Sequence, residues 1–426
     1  MSFRAAPFCN ICVGSVALVF AALAPGLRPT LAEDWPGWRG PRRDGVSREQ
    51  SVPQSWTAES GVAWRATLPG SGISNPIVWQ DRVICTGSDG VDQQDLHVVC
   101  LDARSGRELW HTQLWGTAPT LHHATKSSMA SPSPVTDGQH VYALFGTGDA
   151  FCLDMQGRLV WQRSLASEYG PFENRFAASS SPLLFGETVI FQCDHYGPSY
   201  LLAVDKRTGA NRWKTDRPDT WLSWSSPVVA ERGASRAAEL IVSGSERLDA
   251  YDAHTGESLW TLGGMARECI PTPIVADDRV LATSGPGAAT YSVRLGGRGD
   301  ITESHVDWAT TRGNPYVPSA ILVGTRFYLV DDHGIASCLD AKSGKTLWRK
   351  RFEGDYTASP VAADGAVYFT NEVGTTLVLD ANEDRYVELS RNTIDEPVYA
   401  SPAIAGGRIY LRSATRLWCI AGDLAR

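Results

Sequence analysis

The segment LDAKSGKTLW, Leu339 to Trp348, recurs along the chain with its Asp, Gly and Trp in place, and a repeat of this kind restricts the fold more than any single residue does. Near-copies are LDARSGRELW from Leu101, VDKRTGANRW from Val204, YDAHTGESLW from Tyr251 and, one residue shorter, LDMQGRLVW from Leu153. In each, an alternating apolar run ends at the Asp, whose side chain accepts from amides two residues on, and the Gly supplies a left-handed turn position. That is a β-hairpin. The Trp falls on the returning strand, where a large ring packs between neighbouring sheets while its single N–H finds an acceptor.

A second element precedes each copy: a small polar residue, Pro, two apolar residues, a turn and a strand, as in SPVAADGAVYFT. It occurs at Asn75-Pro76, Ser133-Pro134, Ser181-Pro182, Ser226-Pro227, Thr272-Pro273, Ser359-Pro360 and Ser401-Pro402, with Ser319-Ala320 the copy lacking Pro. The anchor aromatics on the last strand of a unit are Trp64, Trp110, Trp161, Trp213, Trp260, Trp308 and Trp348; the expected eighth place is Glu388, where the turn Gly is missing too. Period-two alternation dominates, and repeats of about 40 to 50 residues with four short strands match propeller blades rather than helical solenoids. Trp64 precedes the first Pro element, so the chain opens with the last strand of a unit, while YASPAIAGGRIYLRSATRLWCIA ends it with three strands. The reading is all-β: an eight-bladed β-propeller of four-stranded antiparallel blades over 61–426, its ring closed by pairing the N-terminal strand with the C-terminal blade, which removes an exposed edge. Residues 33–60, including DWPGWRGPRRDGVS, have no strand pattern and are expected to lie across the ring as an ordered arm.

Residues 1–32 read as an export signal: Arg4, an apolar run from Val13 to Ala24, then the small-residue site Thr30-Leu31-Ala32. The run is short for a membrane span, which needs about 20 residues, so no stable span is expected after cleavage and the protein is placed in the periplasm or outside the cell. Cleavage removes Arg4 and Arg28 and no acid, so the net charge of −8 becomes −10, which argues against a nucleic-acid partner. Two of the nine cysteines precede the cleavage site. Of the seven that follow, Cys100, Cys152 and Cys338 stand two before a hairpin Asp and Cys419 takes the same register. Equivalent places in different blades are too far apart to bridge, so buried free thiols are expected.

With these turns and Ser-Pro strand starts, the chain from Val62 to Ala421 resembles the pyrroloquinoline-quinone-like (PQQ-like) propeller repeat family, and the arm WPGWRGPRRDG resembles the segment preceding such propellers in exported bacterial proteins. The resemblance implies one of two functions: a non-catalytic scaffold similar to BamB-type outer-membrane assembly factors, or a quinoprotein alcohol or sugar dehydrogenase. The dehydrogenases carry an adjacent Cys-Cys pair over the quinone and a Ca²⁺ held by carboxylate and amide oxygens. No two cysteines are adjacent here, and Asp194, Asp331 and Asp332 do not form a matching set. The favoured reading is therefore an exported, non-catalytic binding or scaffold protein without cofactor, partnered by an envelope protein, peptide or glycan; the rival is an oxidoreductase using PQQ with calcium.

Candidate site residues lie just before the Pro elements, where first strands line the central channel. Trp224, Tyr316, Tyr356 and Tyr399 are expected to converge there as an aromatic funnel. Two polar loops stand off the repeat. LHHATKSS carries His122, His123 and Lys126, whose adjacent histidines point apart in an extended loop, so no metal is expected. CDHYGPS carries Asp194 and His195, an acid/base pair or hydrogen-bonded loop architecture. Arg298-Gly299-Asp300 sits where the fifth unit needs its hairpin, and turn geometry accounts for its Gly.

Overall fold

The computed structural model describes residues 1–3, 32–118, 126–233, 237–285 and 287–422, so the body of the expected export signal and the His122-His123 pair lie outside the described residues. From Ala32 onward the described residues build eight sheets, each a four-stranded antiparallel blade, one of them with a short fifth strand added. Blades 1 to 7 span 77–115, 135–164, 183–216, 228–263, 274–310, 321–351 and 361–393, and blade 8 joins three strands within 403–421 to Val62–Thr67. The closing pair is antiparallel, with Trp64 opposite Cys419 and Thr67 opposite Arg416. This is the eight-bladed propeller read from the repeat. The helix Leu165–Tyr169 is a single short turn after blade 2, capped by the Ser164 hydroxyl.

The recurrent hairpin is a socket for the preceding blade. Asp102 accepts the amides of Arg104 and Ser105 at 3.1 and 2.8 Å, which turns the chain, and Gly106 takes the left-handed conformation with φ 71°. A Cβ at Gly106 would lie 2.5 Å from the ring of Trp64, and one at Gly344 2.6 Å from Trp308. The glycines are thus required twice over, by conformation and by the indole laid on them. Four of the seated Trp then donate their N–H to the carbonyl following the hairpin Asp: Trp64 to Ala103 at 3.2 Å, and Trp110 to Met155, Trp161 to Lys206 and Trp308 to Ala341 at 3.0 Å.

Opposite each Trp on the same face stands a small residue: Cys100, Cys152, Ala203, Ala250, Ser292, Cys338 and Cys419. In blade 7 the pairing places Ser390 opposite Val378, so the anchor position is Ser390 and not Glu388; the hairpin is two residues longer. The small side chain becomes Val where the Trp is lost, which recovers part of the missing bulk. Tyr386 fills the place of the missing turn Gly and meets Trp348 edge-on at 5.6 Å. The seven described cysteines are buried and unpaired; burial pushes the thiols of Cys85 and Cys419 up to about 11 and those of Cys100 and Cys152 up to about 12. Gly299–Asp300 forms a strand parallel to the outer strand of blade 4, with Gly299 opposite Trp260, so this tripeptide closes a sheet edge.

The small polar residue before each Pro builds a belt around the axis. The backbone N–H of Asn75 donates to the Ser133 hydroxyl, Ser133 to Ser181, Ser181 to Ser226, Thr272 to Ser319, Ser319 to Ser359 and Ser359 to Ser401, all at 2.9 to 3.0 Å, and Ser226 to Thr272 at 3.4 Å. Pro fixes the preceding residue in extended form and brings no N–H of its own to the crowded inner edge. Ser359→Ala removes the acceptor of a buried amide and is expected to cost about 1–3 kcal/mol, whereas Ser359→Thr stays within about 0.5 kcal/mol. Urea melting of the two variants tests this, and equal stabilities would show that the belt bond contributes nothing.

The arm crosses the end of the channel toward which the inner strands run. Trp35 exchanges two backbone bonds of 2.8 Å with Val78 of blade 1, the Thr136 amide of blade 2 donates to Pro36 at 2.8 Å, and Ser47 donates to Ala362 of blade 7 at 2.7 Å. Arg39 is buried and donates to the carbonyls of Asp44 and Ala320 at 2.8 and 2.6 Å; burial pulls its guanidinium down to about 10. Trp38 reaches inward, its indole N–H 2.9 Å from the Thr272 hydroxyl of the belt.

Candidate functional site

Alternate side chains of an extended strand face the same way, so counting back in twos from the belt predicts which residues reach the axis. The structure follows that count. A cavity of about 360 Å³ is walled by the belt residues Ser181, Ser226, Thr272, Ser319, Ser359 and Ser401, with Trp38 of the arm among its lining. A second tier lies two residues before the belt: Ile73, Ser131, Ser179, Trp224, Ile270, Val317, Thr357 and Tyr399, one from each blade in ring order. The arm lies beyond the belt on its far side, so this second tier faces the other end of the channel. Lys126, Ser127, Phe176 and Tyr316 complete the described lining.

Of the residues expected at the funnel, the structure brings together Trp224, Tyr316 and Tyr399, and Lys126 of the LHHATKSS loop joins them. Trp224 is fixed by its indole N–H, 2.8 Å from the Ala177 carbonyl, and meets Phe176 edge-on at 5.8 Å. Tyr316 bonds through its hydroxyl to Glu268, which also pairs with Arg175; burial, then the Glu268 bond, push its phenol upward. Lys126 meets Glu372 at 2.8 Å, and Glu372 accepts the Thr357 hydroxyl at 2.7 Å. Desolvation pulls the Lys126 ammonium down, but the bond and charge of Glu372 outweigh it and hold the group above its usual range.

Tyr356 is elsewhere. It stands three residues before the belt rather than two, and that odd step turns it into the core shared by blades 6 and 7, where it is 1% exposed and packs against Phe352 at 6.2 Å. Tyr316 has the same odd spacing and reaches the lining by bonding across to Glu268. The four aromatics therefore do not share one repeat position, contrary to the expectation that all four converge.

Asp194 and His195 lie outside the cavity lining and serve different neighbours. Asp194 is buried against Arg217 at 3.0 Å, and the guanidinium also meets Asp249 at 3.3 Å and the Tyr251 hydroxyl at 3.0 Å, tying blade 3 to blade 4. Burial raises the Asp194 carboxyl and Arg217 opposes it. His195 stacks on Phe172 with ring centroids 5.0 Å apart, and its Nδ1 accepts the Gly197 N–H at 3.1 Å. Burial pulls its pKa from 6.5 to about 4, so the ring is neutral in the fold. The unfolded chain then binds a proton that the native state refuses between about pH 6.5 and pH 4. Stability from this group is complete above that window and is lost as pH falls through it. Between pH 7 and pH 5 the loss is expected to be about 2 kcal/mol, and His195→Asn, which keeps an acceptor for Gly197, is expected to lack it. Urea midpoints at the two pH values measure the difference; an unchanged pH dependence in the variant would assign the titration elsewhere.

Sequence reasoning missed Trp38, which only the arm's path delivers, and the belt hydroxyls, whose signal was present as the invariable small polar residue before Pro. It also missed Ile73, Ile270 and Val317, which the count of two would have found. As for a cofactor, among the described residues no carboxylate and no cysteine lines the cavity, whereas a calcium-bound quinone requires six to eight oxygens with carboxylates among them. Among the described residues no group of three or more His, Cys, Asp or Glu is placed to hold a metal ion. The lining does not fit that group.

Comparison with known proteins places the chain. The family model described as outer membrane protein assembly factor BamB matches residues 54–216 and 197–423. The chain is 24% identical over 372 residues to outer membrane protein assembly factor BamB of Yersinia pestis, covering 82% of this chain and 85% of the relative. It is 22% identical over 374 residues to the protein of the same name from Burkholderia pseudomallei (strain K96243), covering 84% of each. Among solved structures it is similar to BamB from Moraxella catarrhalis (TM-score 0.61, 15% identity, 85% of this chain and 99% of the other) and to quinohemoprotein alcohol dehydrogenase from Comamonas testosteroni (TM-score 0.69, 13% identity, 92% and 81%). At these identities the structural likeness is one of fold, and fold alone does not choose between scaffold and dehydrogenase.

Proposed function

This chain belongs to the PQQ-like propeller family whose model is described as outer membrane protein assembly factor BamB, and we propose that it is an exported, non-catalytic scaffold of cell-envelope assembly. On this reading residues 1–32 direct export to the periplasm or beyond, residues 33–60 form the arm, and residues 61–426 form the binding propeller. The observation that carries it is the channel: a cavity with the arm across one end, lined among the described residues by aromatics and hydroxyls and without the carboxylates that the quinone chemistry of the fold requires. The rim around Tyr316, Tyr399 and Lys126 is the partner-binding surface, and the partner is an envelope protein presenting a segment to it. Capture from envelope extracts, compared between the unaltered chain and a Tyr316→Ala/Tyr399→Ala variant of equal melting behaviour, tests the assignment: the variant is expected to lose the captured protein, and undiminished capture would remove the rim from the interaction.

The likeness to a quinohemoprotein alcohol dehydrogenase gives the second reading, a PQQ-dependent oxidoreductase acting on alcohols or sugars. Supplying PQQ and Ca²⁺ to the purified protein and following dye reduction with alcohols and sugars decides between them. Turnover would overturn the scaffold reading.

A further inference from the structure

The second tier of the channel wall is not uniform around the ring. Its two large aromatics, Trp224 of blade 4 and Tyr399 of blade 8, are four blades apart and so stand on opposite sides of an eight-membered ring. Beside each stands an isoleucine, Ile270 of blade 5 next to Trp224 and Ile73 of blade 1 next to Tyr399. Two apolar walls therefore face each other across the axis. Between them, blades 2 and 3 contribute Ser131 and Ser179 on one side, and blades 6 and 7 contribute Val317 and Thr357 on the other. The cross-section is a slot with two apolar faces, one edge of hydroxyls and one of Val317 with the Thr357 hydroxyl, and the belt lies beneath it.

Among the described residues the belt hydroxyls are only partly satisfied. Ser181, Ser226, Ser319, Ser359 and Ser401 are each at most 5% exposed, line the cavity, and accept one backbone N–H. Each retains its own O–H proton and a second lone pair. Five side chains thus offer one donor and one acceptor apiece toward the axis, which is the pairing capacity of another alcohol. A carboxylate or phosphate would use only the donors, and the cation in the lining, Lys126, is already paired with Glu372. A flat aromatic would use the walls and leave the hydroxyls without partners, at a cost for each buried group left unmatched.

We propose that this slot binds a neutral saccharide, one pyranose ring held between Trp224 and Tyr399 with its hydroxyls on the belt. The C–H faces of a pyranose are apolar and suit opposed aromatic walls, and its equatorial hydroxyls both donate and accept. The cavity, about 360 Å³, is at the small end of ligand pockets, which span about 300–1,000 Å³. The site rests on the binding-scaffold reading, with the sugar as the cavity's ligand and the protein partner at the rim.

The test is titration of the full chain with glucose, galactose, maltose and cellobiose, read by tryptophan fluorescence and calorimetry, with glucuronate and indole as charged and flat comparators. At least one neutral sugar is expected to bind with Kd below ~1 mM, more tightly than either comparator. Tyr399→Ala and Trp224→Phe are expected to weaken it about tenfold, a change of about 1.4 kcal/mol. Tyr399→Ala opens one wall without touching the belt, so a folded variant is available if Trp224→Phe fails to fold. The proposal is overturned if no sugar of the panel binds at ~1 mM, if binding is the same in Tyr399→Ala, or if indole binds and the sugars do not. Sugar failure with protein capture retained removes the saccharide and leaves the scaffold reading; sugar binding without capture at the rim does the reverse.

Discussion

A chain beginning at Pro69 is expected to lose cooperative folding under conditions where one beginning at Glu33 is stable. The shortened chain lacks Val62–Thr67, the strand that completes blade 8, so Arg416–Ala421 becomes a raw edge and Trp64 no longer covers the blade 1 hairpin at Gly106. It also lacks the arm, with Trp35 and Trp56 buried to 0% and 4% exposure in the core around blades 8 and 1. Burying one large apolar side chain is worth about 1.5–3 kcal/mol, so losing several together exceeds about 5 kcal/mol and reaches the whole stability of a typical domain. A chain beginning at Ser60 keeps the closing strand and loses only the arm, which separates the two contributions. Circular dichroism melting and size-exclusion profiles of the three chains provide the measurement. A Pro69 chain that melts within a few degrees of the Glu33 chain would mean that ring closure is not what holds blade 8.

Trp260→Ala is expected to destabilise by about 3–5 kcal/mol, the range for emptying a large aromatic site. Trp260 is 1% exposed and donates to Glu239 at 2.6 Å; Glu239 also takes the Gly296 amide and pairs with Arg232. Removing the indole opens a cavity and takes one donor from a buried carboxylate. Trp348 gives the contrast within the same repeat. Its ring is half-buried and leans edge-on against Tyr386 rather than over a glycine, so Trp348→Ala is expected to cost about 1.5–2.5 kcal/mol, the loss of buried area alone. Denaturant unfolding of both variants checks the difference; equal losses would show that burial does not rank the anchors.

The fold was legible because the repeat writes each constraint several times. A single Asp-Gly-Trp turn is weak information, but the same turn with the Trp of one unit falling on the Gly of the next is the interface between blades, copied around the ring. The order of pieces, a last strand first and three strands last, carries the closure. The site was legible only in outline. Trp224, Tyr316, Tyr399 and Lys126 converge, but Tyr356 turns inward, because an aromatic three residues before the belt and one two residues before it face opposite sides of an extended strand. Asp194 and His195 stand next to each other in sequence, yet one is neutralised by Arg217 from a following loop and the other is stacked on Phe172.

Local sequence determined the blade, its turns, its anchors and the number of units, since hairpin geometry, strand alternation and Gly or Pro conformation act over a few residues. What required the tertiary structure is everything that joins residues distant along the chain: the path of the arm that sets Trp38 against Thr272, the facing of Trp224 and Tyr399 from opposite blades, and the hydroxyl belt in which each serine's partner lies some 40 to 60 residues away. A repeat specifies its own contacts and those to its neighbour. The axis exists only when the ring has closed, so the chemistry of the channel is a property of eight blades together.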